Sequence, residues 1–139
     1  MKYIENILHL LICSINLHLN MRLLFVCVGN SCRSQMAEAI ATSLGFKAAS
    51  AGTHPADCVS ENALKVLEKK EISTEGLYPK SIDNIDWESF DMVISMGCGV
   101  NCPLIRIDQD WELEDPVGQP LEIFEECAKK IEVNIKKLL

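Results

Sequence analysis

Residues 22–34 read Arg-Leu-Leu-Phe-Val-Cys-Val-Gly-Asn-Ser-Cys-Arg-Ser, the segment that is most informative about the fold. Its first seven residues are a nearly continuous apolar run, which is typical of a strand covered on both faces in a parallel sheet. A Gly-Asn-Ser turn follows, and residues 34–44 carry apolar side chains at the spacing of one helix face. A strand that leads directly into a helix predicts the first unit of a parallel α/β sheet.

The same alternation continues to the end of the chain. Further strands are predicted at residues 46–50, at 72 and 77–81, at 91–96 and from 106–107, and further helices at 60–70 and from Pro120 onward. Strands that alternate with helices predict an open parallel sheet with helices on both sides, which is a three-layer α/β/α sandwich.

Length and composition favour a single globular domain. The chain has 139 residues, of which 48% are hydrophobic and 24% charged, enough for one core. Its net charge of −7 argues against nucleic acid and against an anionic membrane surface as partners. Most of the excess acid lies after residue 60, so an anion site is expected in the first half of the chain.

Residues 1–20 are apolar but are interrupted by polar and charged side chains, so they predict neither a membrane span nor a signal peptide. They are either a short amphipathic helix or an over-long gene start before Met21. We favour the second interpretation, with a single catalytic domain over residues 21–139, because a strong strand follows Met21 at once. The seven cysteines, an odd number without a signal peptide, favour the reducing cytoplasm, where cysteines serve chemistry or metal binding.

The turn after the first strand has the parts of an oxyanion site. Cys27 ends the predicted strand, and carboxyl ends of parallel strands are where such sheets bind ligands. A glycine-bearing turn and the following helix present N–H groups to an anion, and Arg33 can donate two hydrogen bonds to it. The same positive field would keep Cys27 as a thiolate nucleophile, with Ser34 donating a hydrogen bond to it. The predicted oxyanion loop comprises Val28, Gly29, Asn30, Ser31, Cys32, Arg33 and Ser34.

The stretch from Phe25 to Glu38 resembles the signature of the low-molecular-weight tyrosine phosphatase superfamily, most closely its arsenate reductase branch. The resemblance covers about residues 21–139 and is also carried by residues 96–103 and 110–116. It implies a flavodoxin-like fold with a four-stranded parallel sheet, a nucleophilic Cys27, an oxyanion-binding Arg33, a loop-shaping Asn30 and a thiolate-supporting Ser34.

A reductase needs a second thiol to deliver electrons, whereas a phosphatase needs only water. Cys98 and Cys102 follow the predicted strand 91–96, which places them at the same sheet edge as Cys27. The expected relay runs from Cys27 to Cys98 and then to Cys102, and an external dithiol restores the thiols. Members of the family with such a triad use thioredoxin or a similar donor. The spacing of the later cysteines differs here, so the donor and the order of attack stay open.

Asp115 precedes Pro116, and proline favours an extended backbone in the residue before it. In the family this aspartate is the general acid that protonates the leaving oxygen. The alternative is one more charge in an acidic stretch. Val117 and Gly118 stand where phosphatase members carry aromatic residues, which favours a reductase.

The resulting prediction is a cytoplasmic arsenate reductase that binds arsenate or a similar oxyanion and requires no cofactor or metal. The alternatives are a phosphatase of phosphotyrosine or small phosphoesters, a redox or oxyanion sensor, and a zinc site. The zinc site would use Cys27, Cys32, Cys98 and Cys102, whose spacing suits zinc, although Arg33 would repel the metal. Some reductases of the family bind potassium, and Glu38 and Ser50 match that pattern, but Ile82 stands where a carboxylate is expected.

Overall fold

The strand β1 (Arg22–Cys27) lies inside a four-stranded sheet in the computed structural model. It pairs with β2 (Lys47–Gly52) on one side and with β3 (Met92–Ser95) on the other, and β4 (Gln109–Asp110) follows β3. Every pair is parallel and the order is β2-β1-β3-β4. Because all four strands run the same way, their carboxyl ends meet at one edge.

The structure describes Ile7, residues 20–97 and residues 105–139. The predicted extension over residues 1–20 therefore lies outside the described residues apart from Ile7 and Asn20. Cys98 and Cys102 also lie outside the described residues. Within the described part, no helix has the length and apolar character needed to cross a membrane.

Three helices cover one face of the sheet: α1 (Arg33–Ser43), α2 (Glu61–Lys69) and α3 (Leu121–Lys136). Leu23 and Phe25 point into this helical layer, and Leu24 and Val26 point to the opposite face, because side chains alternate along a strand. All four side chains are fully buried, and each contributes roughly 1.5–3 kcal/mol through the hydrophobic effect. The continuous apolar run of β1 is thus explained by burial on both faces.

The opposite face is covered by the segment between β2 and β3. This segment contains two 3-10 turns, Ile82–Asn84 and Trp87–Ser89, and packs Ile85, Trp87 and Phe90 against the sheet. The three-layer arrangement and the four-stranded parallel sheet are confirmed, with these turns forming the third layer among the described residues.

Two predicted strands differ from the structure. Residues 77–81 form no strand and make a single bridge, between Ser81 and Gly52. Their backbone groups instead bond to side chains of the β1–α1 loop and of α1: Lys80 N–H donates to Asn30 Oδ1, and the Tyr78 carbonyl accepts from Gln35 Nε2. The last strand lies at Gln109–Asp110 rather than starting at residues 106–107.

Candidate active site

The loop between β1 and α1 lies at the carboxyl edge of the sheet, as the position of Cys27 and Arg33 predicts. Cys27 is the last residue of β1 and Arg33 is the first residue of α1. Both side chains are buried, and Asn30 between them is fully buried. Asn30 has a φ of 49°, in the left-handed region that asparagine adopts more readily than most residues. The loop is therefore a tight, interior turn.

The six carbonyl groups from Cys27 to Cys32 face away from the concave side of the loop, and each accepts a hydrogen bond there. Four of the donors are backbone N–H groups of the segment after β2. The N–H of Thr53 donates to the carbonyl of residue 27 at 3.2 Å, and that of His54 to residue 28 at 2.8 Å. The N–H of Ala56 donates to residue 29 and that of Ser60 to residue 31, both at 2.9 Å. Gln35 Nε2 donates to the Asn30 carbonyl at 2.9 Å, and Met36 N–H donates to the Cys32 carbonyl at 2.9 Å. Because the C=O and N–H of a trans peptide point in opposite directions, the loop N–H groups turn inward and form an anion nest.

The sulfur of Cys27 sits among hydrogen-bond donors. Asn30 N–H donates to Cys27 Sγ at 3.1 Å, and Ser34 Oγ lies 2.7 Å from the same sulfur. Asn30 Nδ2 donates to Ser34 Oγ at 2.7 Å, so the serine hydrogen is left to point at the sulfur. Two donors aimed at one sulfur are the surroundings that a thiolate nucleophile requires.

Arg33 links the loop to the residues that follow β4. Its Nη1 donates to the Leu113 carbonyl at 2.8 Å, and its Nη2 lies 3.8 Å from Asp115 Oδ2. Gly97 completes this contact: a Cβ on it would lie 2.7 Å from the Leu113 carbonyl oxygen and 3.2 Å from Arg33 Nη1. With a φ of +141°, position 97 favours glycine on backbone grounds as well.

Asp115 is thereby brought to the same edge as Cys27 and Arg33, although its own side chain is 55% exposed. Its Oδ1 accepts a hydrogen bond from Val117 N–H at 3.1 Å, which holds the carboxylate in a local turn. The arrangement gives an anion nest, a sulfur, a guanidinium and a carboxylate, which together can bind and attack a tetrahedral oxyanion.

The remaining described cysteines differ from Cys27. Burial raises the pKa of the Cys32 thiol, and hydrogen bonds from Ser31 and Ser60 offset this only in part. Burial also raises the pKa of Cys127 to about 11, although the nearby Arg33 charge acts in the opposite direction. Cys58 is exposed. The prediction that Cys127 belongs to the core is confirmed, since it packs in the main apolar cluster.

The alternative of a zinc site depends on two cysteines, Cys98 and Cys102, outside the described residues. Among Ile7 and residues 20–97 and 105–139, no group of three or more His, Cys, Asp or Glu side chains is arranged to hold a metal ion. Glu38 and Ser50 do lie together, with Ser50 Oγ donating to Glu38 Oε1 at 3.0 Å. The cation beside them is the ammonium of Lys80, 3.6 Å from the same carboxylate oxygen.

Sequence analysis missed Lys80 and Gln35 as supports of this site. Gln35 Nε2 bonds two carbonyls, those of Asn30 and Tyr78, and Lys80 lies fifty residues away from the asparagine that it contacts. A local signal exists for Gln35, which lies in the first turn of α1, beside the loop.

The sequence of this chain is similar to those of known proteins. The family described as low molecular weight phosphotyrosine protein phosphatase matches residues 22–139. A glutaredoxin arsenate reductase of Synechocystis is 37% identical over 126 residues, which cover 85% of this chain and 95% of that protein. An arsenate reductase of Staphylococcus aureus is 30% identical over 123 residues, covering 81% of this chain and 92% of that protein.

Solved structures of an arsenate reductase and of a phosphatase are also similar to this chain. An arsenate reductase in the phosphate binding state superimposes with a TM-score of 0.79 at 37% identity and covers 85% of this chain and 95% of its own. A low molecular weight protein tyrosine phosphatase from T. tengcongensis gives a TM-score of 0.73 at 31% identity and covers 86% and 97%.

Proposed function

The chain belongs to the low molecular weight phosphotyrosine protein phosphatase family, and we propose that it reduces arsenate to arsenite through a thiol relay that starts at Cys27. The observation that carries this proposal is the loop after β1, in which the six carbonyls of residues 27–32 are all bound from outside while Cys27 Sγ accepts a hydrogen bond from inside. An oxyanion the size of arsenate or phosphate suits such a nest. The Synechocystis and Staphylococcus aureus relatives, which are 37% and 30% identical to this chain, are both named arsenate reductases.

In the first step the loop N–H groups and Arg33 bind the arsenate oxygens. The Cys27 thiolate attacks arsenic, so an As–S bond forms and one As–O bond breaks. The departing oxygen leaves as water, and Asp115, which lies 3.8 Å from Arg33, supplies a proton to it. The guanidinium donates to the oxygens that carry the developing charge.

The second step moves the electrons. Cys98 attacks Cys27 Sγ, a disulfide forms, and the electron pair of the As–S bond stays on arsenic. Arsenic is thereby reduced from the +5 to the +3 state, and arsenite is released. Cys102 then attacks Cys98, which frees Cys27 and leaves a Cys98–Cys102 disulfide. Gly97, the residue before Cys98, lies beside Arg33 and so starts this segment at the site.

An external dithiol must reduce the final disulfide. A similar protein is named a glutaredoxin arsenate reductase, so glutaredoxin is the first donor to test, with thioredoxin as the second. A dithiol donor and a set of free thiols both need a reducing compartment, so we place the enzyme in the cytoplasm.

The experiment measures arsenite release with glutaredoxin or thioredoxin as the donor. Cys27→Ala is expected to release none. Cys102→Ala is expected to release about one arsenite per enzyme and then stop, because a Cys27–Cys98 disulfide forms without a thiol to resolve it. Cys98→Ala is expected to lower turnover at least about 100-fold. Cys58→Ala removes an exposed thiol to which the proposed relay assigns no role; it serves as the matched control and should turn over normally.

The same buffer tests the alternatives with an aryl phosphate as substrate. Fast hydrolysis of this ester by the wild type, with no arsenite release and with Cys98→Ala fully active, would replace the reductase by a phosphatase. Oxyanion-dependent disulfide formation without arsenite release would instead point to a sensor.

A further inference from the structure

Asn30 joins the outside of the oxyanion loop to the reacting sulfur. On the inner side its N–H donates to Cys27 Sγ at 3.1 Å and its Nδ2 donates to Ser34 Oγ at 2.7 Å. On the outer side its Oδ1 accepts from Lys80 N–H at 2.9 Å. Its left-handed φ of 49° costs free energy, so these contacts must hold it in place. The position of the Lys80 backbone therefore bears on the geometry around the sulfur.

The side chain of Lys80 is anchored to α1. Its ammonium lies 3.6 Å from Glu38 Oε1, and both side chains are largely buried, with exposed fractions of 15% and 14%. Ser50 Oγ donates to the same carboxylate oxygen at 3.0 Å, and Ser50 itself is fully buried. A largely buried pair of this kind is screened less by water than an exposed one, and removing one partner leaves the other charge uncompensated.

The ammonium also fixes the backbone of its own segment. Lys80 Nζ donates to the Tyr78 carbonyl at 3.0 Å and lies 4.5 Å from the centroid of the Tyr78 ring. Gln35 Nε2 donates to the same carbonyl at 2.8 Å. The Lys80 carbonyl accepts from Gly52 N–H at 2.8 Å. Both ends of the short stretch from residue 78 to residue 80 are thus held, one by α1 and the other by β2.

We propose that Lys80 is a positioning residue for the oxyanion loop. Its ammonium is a built-in counter-ion for Glu38, and the tie from Glu38 through Lys80 to Asn30 keeps the donors of Asn30 and Ser34 aimed at Cys27. The inference rests on the proposed function only for what the loop does; the tie itself concerns the reactivity of the sulfur and the binding of an oxyanion. Lys80 touches neither substrate nor sulfur, so it acts through Asn30.

The test compares Lys80→Met, which keeps the aliphatic stem and removes the charge, with Lys80→Arg, which keeps a cation. Two quantities are measured: the rate at which iodoacetamide alkylates Cys27 at neutral pH, followed by peptide mapping, and the concentration of inorganic phosphate that halves this rate. Lys80→Met is expected to lower the rate and raise the half-protecting concentration, each about tenfold, the size expected for a misaligned hydrogen bond. Lys80→Arg is expected to restore both to within about threefold of the wild type.

Two further variants keep the outcome decisive. Lys80→Met with Glu38→Gln removes the tie without burying a lone carboxylate, and it is expected to stay folded while keeping the slow alkylation. Lys69→Met removes the lysine of an exposed ion pair, with Glu125 at 2.7 Å, and should leave both readouts unchanged. A lower melting temperature in the Lys80 variants with normal alkylation and phosphate protection would overturn the proposal. Slow alkylation in a protein whose wild type fails to reduce arsenate would support the tie and contradict only the proposed function.

Discussion

Two segments meet at the carboxyl edge of the sheet, and they are held in opposite ways. The loop from Cys27 to Arg33 is buried or half-buried, and six of its carbonyls accept hydrogen bonds, four from residues 53–60 and two from Gln35 and Met36 at the start of α1. The segment around Asp115 is at the surface. Its carboxylate is 55% exposed and is held by the N–H of Val117, two residues away, and by Arg33 at 3.8 Å.

This difference separates the two roles that we propose for these segments, oxyanion binding for the loop and proton supply for Asp115. Binding an oxyanion needs several donors in fixed positions before the ligand arrives, because reorganising them would consume binding energy. Supplying a proton needs one group within reach, and water can take part of that task at an exposed position. We therefore expect changes that shift the loop backbone to be more harmful than changes to the acid.

Among changes that leave the relay thiols in place, the largest effect is expected from Gly52→Ala, which perturbs the loop without altering any reacting group. A Cβ at position 52 would lie 2.6 Å from the Val28 carbonyl oxygen and 2.9 Å from Asn30 Cβ, so the loop or β2 must move. A displacement approaching 1 Å lowers kcat/KM for arsenate reduction about 100-fold. The same variant should lose protection of Cys27 by phosphate in the alkylation assay.

Gly76→Ala is the matched control for that prediction. Position 76 has a φ of +79° and no atom within 4 Å of a new Cβ, so the substitution strains the backbone without pressing on the loop. We expect the free energy of unfolding to fall by about 1 kcal/mol and kcat/KM to be unchanged. Full activity in Gly52→Ala would show that the loop adapts and would remove the contrast between the two segments.

A smaller effect is expected from Asp115→Asn, which keeps the shape of the acid and removes its proton. General acids commonly contribute 10²–10⁴-fold, but an exposed acid that assists loss of water competes with solvent, so we expect kcat to fall about tenfold. KM for arsenate should change little, because Arg33 keeps its bond to the Leu113 carbonyl. Steady-state arsenite release measures both constants. A loss larger than that of Gly52→Ala would reverse the ranking of the two segments.

The difference between local and distant contacts explains what could be predicted from the sequence. The strand, turn and helix around Cys27 are local, since thirteen consecutive residues contain the apolar run, the turn and the helix start, and these predictions are confirmed. The family and its arsenate reductase branch are likewise confirmed. The supports of the loop are not local: Lys80 reaches Asn30 across fifty residues, and residues 53–60 bond to its outer side.

The error at residues 77–81 has the same origin. The stretch begins with Leu77 and Tyr78, which are common in strands, but the Tyr78 carbonyl and the Lys80 N–H bond to the side chains of Gln35 and Asn30. A single bridge to Gly52 takes the place of a strand ladder. Periodicity describes which side of a segment is apolar and carries no information about which distant side chain takes its backbone groups. The same limit applies to β4. Its position at Gln109–Asp110 is set by pairing with Ile94 and Ser95 of β3, which periodicity does not reveal.

The smallest effect concerns a thiol that the site does not use, Cys127 on α3. Its pKa is raised by burial to about 11, so the folded state keeps the proton that the unfolded chain releases near pH 9. As the pH rises above about 9 the unfolded state binds fewer protons than the folded state, and the free energy of unfolding therefore falls, whereas below that pH the thiol contributes nothing to the slope. Cys127→Val keeps the apolar packing and removes this titration. We expect urea unfolding between about pH 8.5 and pH 10.5 to show a decline in the free energy of unfolding that is shallower by about 1 kcal/mol in this variant than in the wild type. Parallel declines in wild type and Cys127→Val would mean that Cys127 titrates as an ordinary thiol, and the contrast between a sulfur surrounded by donors and one surrounded by apolar groups would then rest on Cys27 alone.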